Sequence, residues 1–112
     1  MTVKELADKL GWKQLTESDG SDREVEGCYV GDLLSWVMGR AKADDIWLTV
    51  MGNINAIAVA TLADTAGIVL IEDATLDADA LARANMQDVA IYATEVPAYE
   101  TAVALTEALK EA

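Results

Sequence analysis

The sequence predicts one α/β domain, residues 1–112, in which helices cover both faces of a mostly parallel, mixed five-stranded sheet. The length of 112 residues matches the commonest domain size and leaves room for one core. Strand and helix patterns alternate strictly from residue 46 onward, which indicates parallel strands joined by helices. The segment Gly67–Ile71 is wholly apolar, as expected for a strand that is covered on both faces.

The first half of the chain predicts two helices and three strands. Thr2 and Glu5 have the spacing of a capping box, and Gly11 ends the helix that they begin. The predicted elements are a helix over 3–10, strands over 12–16 and 25–30, a helix over 33–38 closed by Gly39, and a strand over 46–51. The early strands do not follow the strict alternation, so either sense of pairing stays open for them.

The second half predicts three helices and two strands. Asn53 is a suitable N-cap for a helix over 54–62, and Asp77 is one for a helix over 78–86. Pro97 suits the first turn of the last helix, because the N–H that proline lacks is one that a helix leaves unpaired. The strands between these helices are predicted over 67–71 and 89–93.

Charge and composition exclude several classes of partner. The net charge is −12 and the 8 basic residues are scattered, so no nucleic-acid partner is expected. The longest apolar runs, near Ala56–Ala60 and Ala66–Ile71, fall well short of the about 20 residues of a membrane span. Cys28 is the only cysteine, which suits a reducing compartment. We therefore expect a cytoplasmic protein that does not associate with membranes.

No catalytic or metal-binding constellation is evident in the sequence. The chain has no His, so Cys28 lacks the usual activating base, and a structural zinc site is excluded. Asp73, Asp77 and Asp79 lack the Gly and the terminal Glu of a calcium loop. No G-x-x-x-x-G-K-[ST] loop is present, which argues against a kinase. We predict a protein that is not an enzyme and uses no metal or cofactor.

Three segments carry a family resemblance that covers nearly the whole chain. They read DREVEG over 22–27, YVGDLLSWVM over 29–38 and MGNINAIAVA over 51–60, and the strand over 66–71 supports them. Together they resemble the stand-alone DRTGG domain proteins of bacteria and archaea. Asp22 and Arg23 match the start of the Asp-Arg-Thr-Gly-Gly consensus, but the residues that follow do not match its Thr and first Gly.

The resemblance implies a fold like the N-terminal domain of the bacterial HPr kinase/phosphorylase, with three α/β/α layers and a mixed sheet. It also implies an accessory role. Relatives stand beside phosphotransacetylase domains and within regulated inorganic pyrophosphatases that carry CBS domains, where the domain is thought to bind ligands or assist assembly.

Two junctions between a predicted strand and a predicted helix are the best ligand-site candidates. Gly52, Asn53 and Asn55 open a helix whose first N–H groups can hold an anion, and Gly52 would let a ligand approach the backbone. The alternative is ordinary capping by Asn53, with Asn55 on the surface. At the other junction, Gly31-Asp32, the Asp32 carboxylate either caps the next helix or faces a ligand hydroxyl near Gly52.

Arg23 has two interpretations. It either fixes the loop before the second strand through a salt bridge, or it grips a phosphate or carboxylate with both arms of its guanidinium group.

The helix over 33–38 is apolar almost all round and therefore predicts burial on more than one side. It is either a central core helix or the interface of a homodimer. We predict the homodimer, with Leu33, Trp36 and Met38 at the interface, because Trp and Met are enriched at protein interfaces.

These features lead to two functional hypotheses. The first is a non-catalytic, dimeric regulatory module that binds a small anionic metabolite or nucleotide. The second is an adaptor that joins a larger enzyme or signalling complex through protein contacts and binds no small ligand. An enzyme would need a carboxylate-based site that the sequence does not reveal.

Overall fold

The computed structural model describes all 112 residues and contains five helices and five strands in the predicted order. The elements are α1 (Val3–Leu10), β1 (Lys13–Gln14), β2 (Gly27–Val30), α2 (Leu34–Arg40), β3 (Asp45–Thr49), α3 (Ile54–Ala63), β4 (Gly67–Leu70), α4 (Ala78–Met86), β5 (Ile91–Ala93) and α5 (Ala98–Glu111).

All five strands form one mixed sheet in the order β1-β5-β4-β3-β2. Strands β2 to β5 are mutually parallel, and β1 pairs antiparallel with β5. The prediction of a mostly parallel, mixed sheet is therefore confirmed. The sense of the two early strands, which stayed open above, is parallel for β2 and antiparallel for β1.

The helices form a layer on each face of the sheet. Successive residues of β3 and β4 point to opposite faces, so each strand contributes apolar side chains to two separate cores. One core lies under α1 and α5, and the other lies under α2, α3 and α4. The result is the predicted three-layer α/β/α arrangement.

Local sequence signals explain how the first helix begins and ends. The Thr2 hydroxyl accepts a hydrogen bond from the Glu5 amide at 3.1 Å, and the Glu5 carboxylate accepts one from the Thr2 amide at 2.8 Å. Gly11 ends α1 with a left-handed backbone, φ 76°. The capping box and the glycine stop are both confirmed.

A segment that we call the crossing segment, residues 15–26, runs across the sheet from β1 at one edge to β2 at the other. The Thr16 hydroxyl accepts from the Ile91 amide at 2.9 Å, and the Tyr92 hydroxyl donates to the Asp19 carbonyl at 2.7 Å. These bonds fasten the segment to β5. The strands predicted over 12–16 and 25–30 are shorter than expected and cover Lys13–Gln14 and Gly27–Val30.

Two helix boundaries differ from the prediction. The predicted stop at Gly39 is wrong, because the Ala41 amide bonds to the Val37 carbonyl and α2 continues to Arg40. Pro97 is the N-cap residue of α5 and precedes the first turn in which it was predicted.

Candidate functional site

The parallel strands place the predicted site residues at opposite ends of the strands. Gly31-Asp32 follows β2 and Gly52-Asn53 follows β3, so both pairs lie where the strands end. Arg23 precedes β2 and lies where the strands begin. The structure thus brings the two strand-to-helix junctions together but does not bring Arg23 to them.

Asp32 connects the two junctions. Its carboxylate accepts hydrogen bonds from the Thr49 hydroxyl at 2.7 Å and from the Val50 amide at 3.0 Å. Residue Leu33 occupies the N-cap position of α2, with no side-chain cap. The interpretation of Asp32 as a helix cap is therefore wrong. The reason is that β2 and β3 are neighbours, which puts the end of β3 within reach of the carboxylate.

Gly52 lies against the chain's own backbone. A Cβ atom at this position would come within 1.9 Å of the Thr75 carbonyl oxygen. The Asp77 amide also donates to the Gly52 carbonyl at 2.8 Å. The close approach that requires glycine here is made by the loop before α4. A ligand contact at Gly52 stays a prediction.

Asn53 caps α3 as predicted. Its side-chain oxygen accepts a hydrogen bond from the Ala56 amide at 3.0 Å, while Asn55 is exposed. None of the residues at the two junctions lines any of the protein's five surface cavities. The Asp32 carboxylate accepts from the Val50 amide and so places a negative charge on the loop between β3 and α3.

Arg23 forms the salt bridges of its structural interpretation. The guanidinium group donates to the Asp44 carboxylate at 2.7 Å, to the Asp64 carboxylate at 3.3 Å and to the Asp64 carbonyl at 2.9 Å. Partial burial would lower the pKa of Arg23, but the hydrogen bonds and charges of the two carboxylates outweigh it and raise that pKa. Both nitrogen arms are thus engaged within the chain.

Asp44 and Asp64 themselves have left-handed backbones, with φ 69° and 57°. Asp tolerates this conformation better than most residues, because its short side chain can hydrogen-bond locally. Each stands in the turn between a helix and the next parallel strand. Arg23 therefore links two consecutive turns to the crossing segment.

Cys28 has the environment of a structural thiol. Burial, with a smaller effect from the Asp45 charge, raises its pKa to about 12. The thiolate, which is the reactive form, is therefore scarce at neutral pH.

No group of three or more His, Cys, Asp or Glu side chains is arranged to hold a metal ion.

The helix α2 buries one stripe and exposes the rest. Leu34, Val37 and Ala41 pack into the core under α2, α3 and α4. The predicted interface residues Leu33, Trp36 and Met38 are exposed, and the Arg40 guanidinium lies 3.7 Å from the centre of the Trp36 ring. A fully central core helix is therefore excluded.

Two further exposed apolar residues lie at the ends of strands. Val30 ends the edge strand β2, and Val50 follows β3, where its amide bonds to Asp32. Sequence reasoning missed the exposure of both side chains, because each lies at the end of an apolar strand and is expected to be buried. The exposed α2 residues Leu33, Trp36 and Met38 are together called the α2 surface.

The fold and this surface define a three-layer α/β/α protein with exposed apolar side chains on α2. No helix has the length and apolar character needed to cross a membrane. No protein-family model matches the chain, and a search of curated proteins gave no match either. The resemblance to the DRTGG domain family therefore stays a prediction.

Proposed function

We propose that this protein is a non-catalytic interaction module that binds another polypeptide through the α2 surface. The observation that carries the proposal is the joint exposure of Leu33 and Trp36, which are 57% and 52% accessible to solvent. Exposed large apolar side chains that cluster on a soluble domain mark interaction sites. Tryptophan contributes most strongly to binding at such sites.

The arrangement of strands favours this adaptor hypothesis over the ligand-binding hypothesis. Ligands of open α/β sheets bind in a crevice where the strand order reverses. Here β2, β3, β4 and β5 follow one another in sequence order across the sheet, and their connecting helices share one face. No reversal opens a crevice beside Gly52 and Asn53.

Two finer expectations are part of the proposal. The accessory role implied by the DRTGG resemblance fits a domain that acts through contacts and not through chemistry. A cytoplasmic location fits the free thiol of Cys28. Cell fractionation tests the location, and recovery in a secreted fraction would contradict it.

Site-specific photocrosslinking in the native host tests the proposed binding surface. A photoreactive amino acid replaces Trp36 in one variant and Glu107, exposed on α5 in the opposite layer, in the control. We expect a discrete crosslinked protein band from position 36 and none from position 107. Equal crosslinking from both positions, or none from either, would overturn the proposal.

A further inference from the structure

The chain leaves two neighbouring parallel strands towards opposite faces of the sheet. After β4 it enters the layer of α2, α3 and α4, and after β5 it enters the layer of α1 and α5. Strands β4 and β5 lie side by side and are parallel. Loops that part in this way open a crevice at the carboxyl ends of the two strands, where open α/β sheets bind their ligands. No other pair of neighbouring parallel strands has this arrangement, because the chain leaves β2, β3 and β4 on the same face.

Two adjoining hollows lie at this position. One, beside the end of α1, has a volume of about 440 Å³, and the other, beside α4, has a volume of about 360 Å³. Both volumes fall within the range of small-molecule sites. Lys13, Asp73 and Ala93 line both hollows, so together they form one site, which we call the β4–β5 crevice.

The strand pairing and the loops fix the residues that the two hollows share. Because β1 runs antiparallel to β5, its first residue, Lys13, lies beside Ala93 at the end of β5. Asp73 lies in the loop after β4, and its amide donates a hydrogen bond of 3.0 Å to the Thr94 carbonyl in the loop after β5. The crevice is therefore formed in advance, and a ligand does not have to order its loops.

The charges in the crevice indicate the class of ligand. The charged side chains that line it are Lys13, Asp73 and Glu95, and none of them forms a salt bridge. Glu72 and Asp77 belong to the same loop as Asp73 but line neither hollow. An anion such as a nucleotide or a phosphate would meet two carboxylates there, and a simple cation would meet the ammonium group of Lys13. A molecule that carries both charges can pair with each of them.

The hollow beside α4 adds an apolar wall. Leu15, Leu76 and Leu81 line it, and each of them is partly exposed to solvent. An apolar group that covers these side chains gains about 25 cal/mol for each Å² that it removes from water. The crevice thus combines charges of both signs with an apolar surface.

We infer that the β4–β5 crevice binds a free α-amino acid with an apolar side chain. The carboxylate of the amino acid faces Lys13, its ammonium group faces Asp73 and Glu95, and its side chain lies in the hollow beside α4. No residue of the α2 surface lines the crevice, so this binding site is additional to the proposed function and does not depend on it.

Amide NMR spectra of the purified full chain test the inference. L-valine, L-leucine, L-methionine and L-phenylalanine are added in separate titrations. We expect at least one of them to cause saturable shift changes at residues 73–76 and 93–96. The inference is overturned if none of the four changes these amides up to its solubility limit, or if the changes lie elsewhere in the chain.

Asp73→Asn should raise the dissociation constant of the bound amino acid at least about threefold, because it removes an exposed charge contact. Asp88→Asn is the matched control. Both aspartates are exposed and have a left-handed backbone of φ 59°, but Asp88 lies before β5, at the other end of the strand. Asn tolerates this backbone as Asp does, so both variants should fold. Equal weakening by the two variants would rule out the placement of the ammonium group.

Lys13→Gln tests the second charge. It should weaken the amino acid at least about threefold, but it should not weaken the corresponding amino acid amide, which has no carboxylate. Lys42→Gln is the control, since Lys42 is exposed and lines neither hollow. If the amide, or the acid that lacks the amino group, binds as tightly as the amino acid itself, the ligand class is wrong.

Discussion

The guanidinium group of Arg23 donates a hydrogen bond of 2.7 Å to the Asp44 carboxylate, and this bond joins the crossing segment to the turn before β3. The same side chain reaches Asp64 in the turn before β4. Arg23 thus holds the crossing segment to these turns at the amino ends of the parallel strands. Arg23 therefore has a structural role, in which it connects two turns that precede parallel strands.

Replacing Arg23 by Ala should lower the free energy of unfolding by about 1–2 kcal/mol. The change removes three hydrogen bonds and leaves the Asp44 and Asp64 charges unneutralised. Urea unfolding measures the loss. Arg83→Ala on α4 is the matched control, because Arg83 is exposed and forms no salt bridge. Equal urea midpoints for the two variants would show that the contacts of Arg23 do not stabilise the fold.

Two glycine substitutions should have opposite effects. Gly52→Ala should cost more than about 2 kcal/mol of unfolding free energy, because its Cβ would collide with the Thr75 carbonyl. Gly39→Ala should gain about 0.5–1 kcal/mol, since Gly39 lies within α2 and has open space around it. Chemical denaturation of both variants checks the pair. A stable Gly52→Ala protein would show that the loop before α4 does not pack as described.

Cys28 should resist alkylation in the native protein. Its pKa rises from 9.0 to about 12 on folding, so iodoacetamide at pH 8 should react roughly two to three orders of magnitude more slowly than in the urea-unfolded chain. Mass spectrometry follows the modification. Similar rates in the two states would show that the thiol is reactive and accessible.

The raised pKa of Cys28 also predicts that the protein loses stability at alkaline pH. Because the folded pKa is raised, the unfolded chain releases the Cys28 proton first as pH increases. The stabilisation that comes from the protonated Cys28 thiol is fully present below pH 9.0. It is lost progressively as the pH rises towards 12. Cys28→Ala should flatten this part of the stability profile, measured by urea unfolding at several pH values. An identical slope in the variant would contradict the assignment.

A thermal-shift screen against nucleotides, phosphates and organic acids should give no change in melting temperature. A ligand at 100 times its dissociation constant would add about 2.7 kcal/mol and raise the melting temperature by several degrees. Asn55→Asp adds charge at the exposed start of α3 without touching the core. A shift that this variant abolishes would establish an anion site there and favour the ligand-binding hypothesis. Arg23→Ala should not affect such a shift, because Arg23 lies at the opposite end of the parallel strands from Asn55.

The sequence by itself determined the layers, the order of the elements and the local caps. Alternating patterns place α4 at Ala78–Met86 with the predicted bounds, and apolar runs identify β3 and β4. The caps at Thr2 and Asn53 are readable because donor and acceptor are only three residues apart. Such signals depend on nearest neighbours along the chain, and tertiary packing does not alter them here.

Only the tertiary structure decided the roles of Asp32, Gly52 and Arg23. Asp32 bonds to Thr49, Gly52 lies against Thr75, and Arg23 reaches Asp64 from 41 residues away. The same holds for α2, since an all-apolar helix does not reveal which of its sides faces the core. These features depend on which strands become neighbours and on which edge a loop occupies. Strand neighbours are selected by long-range packing, so no local pattern in the sequence encodes them.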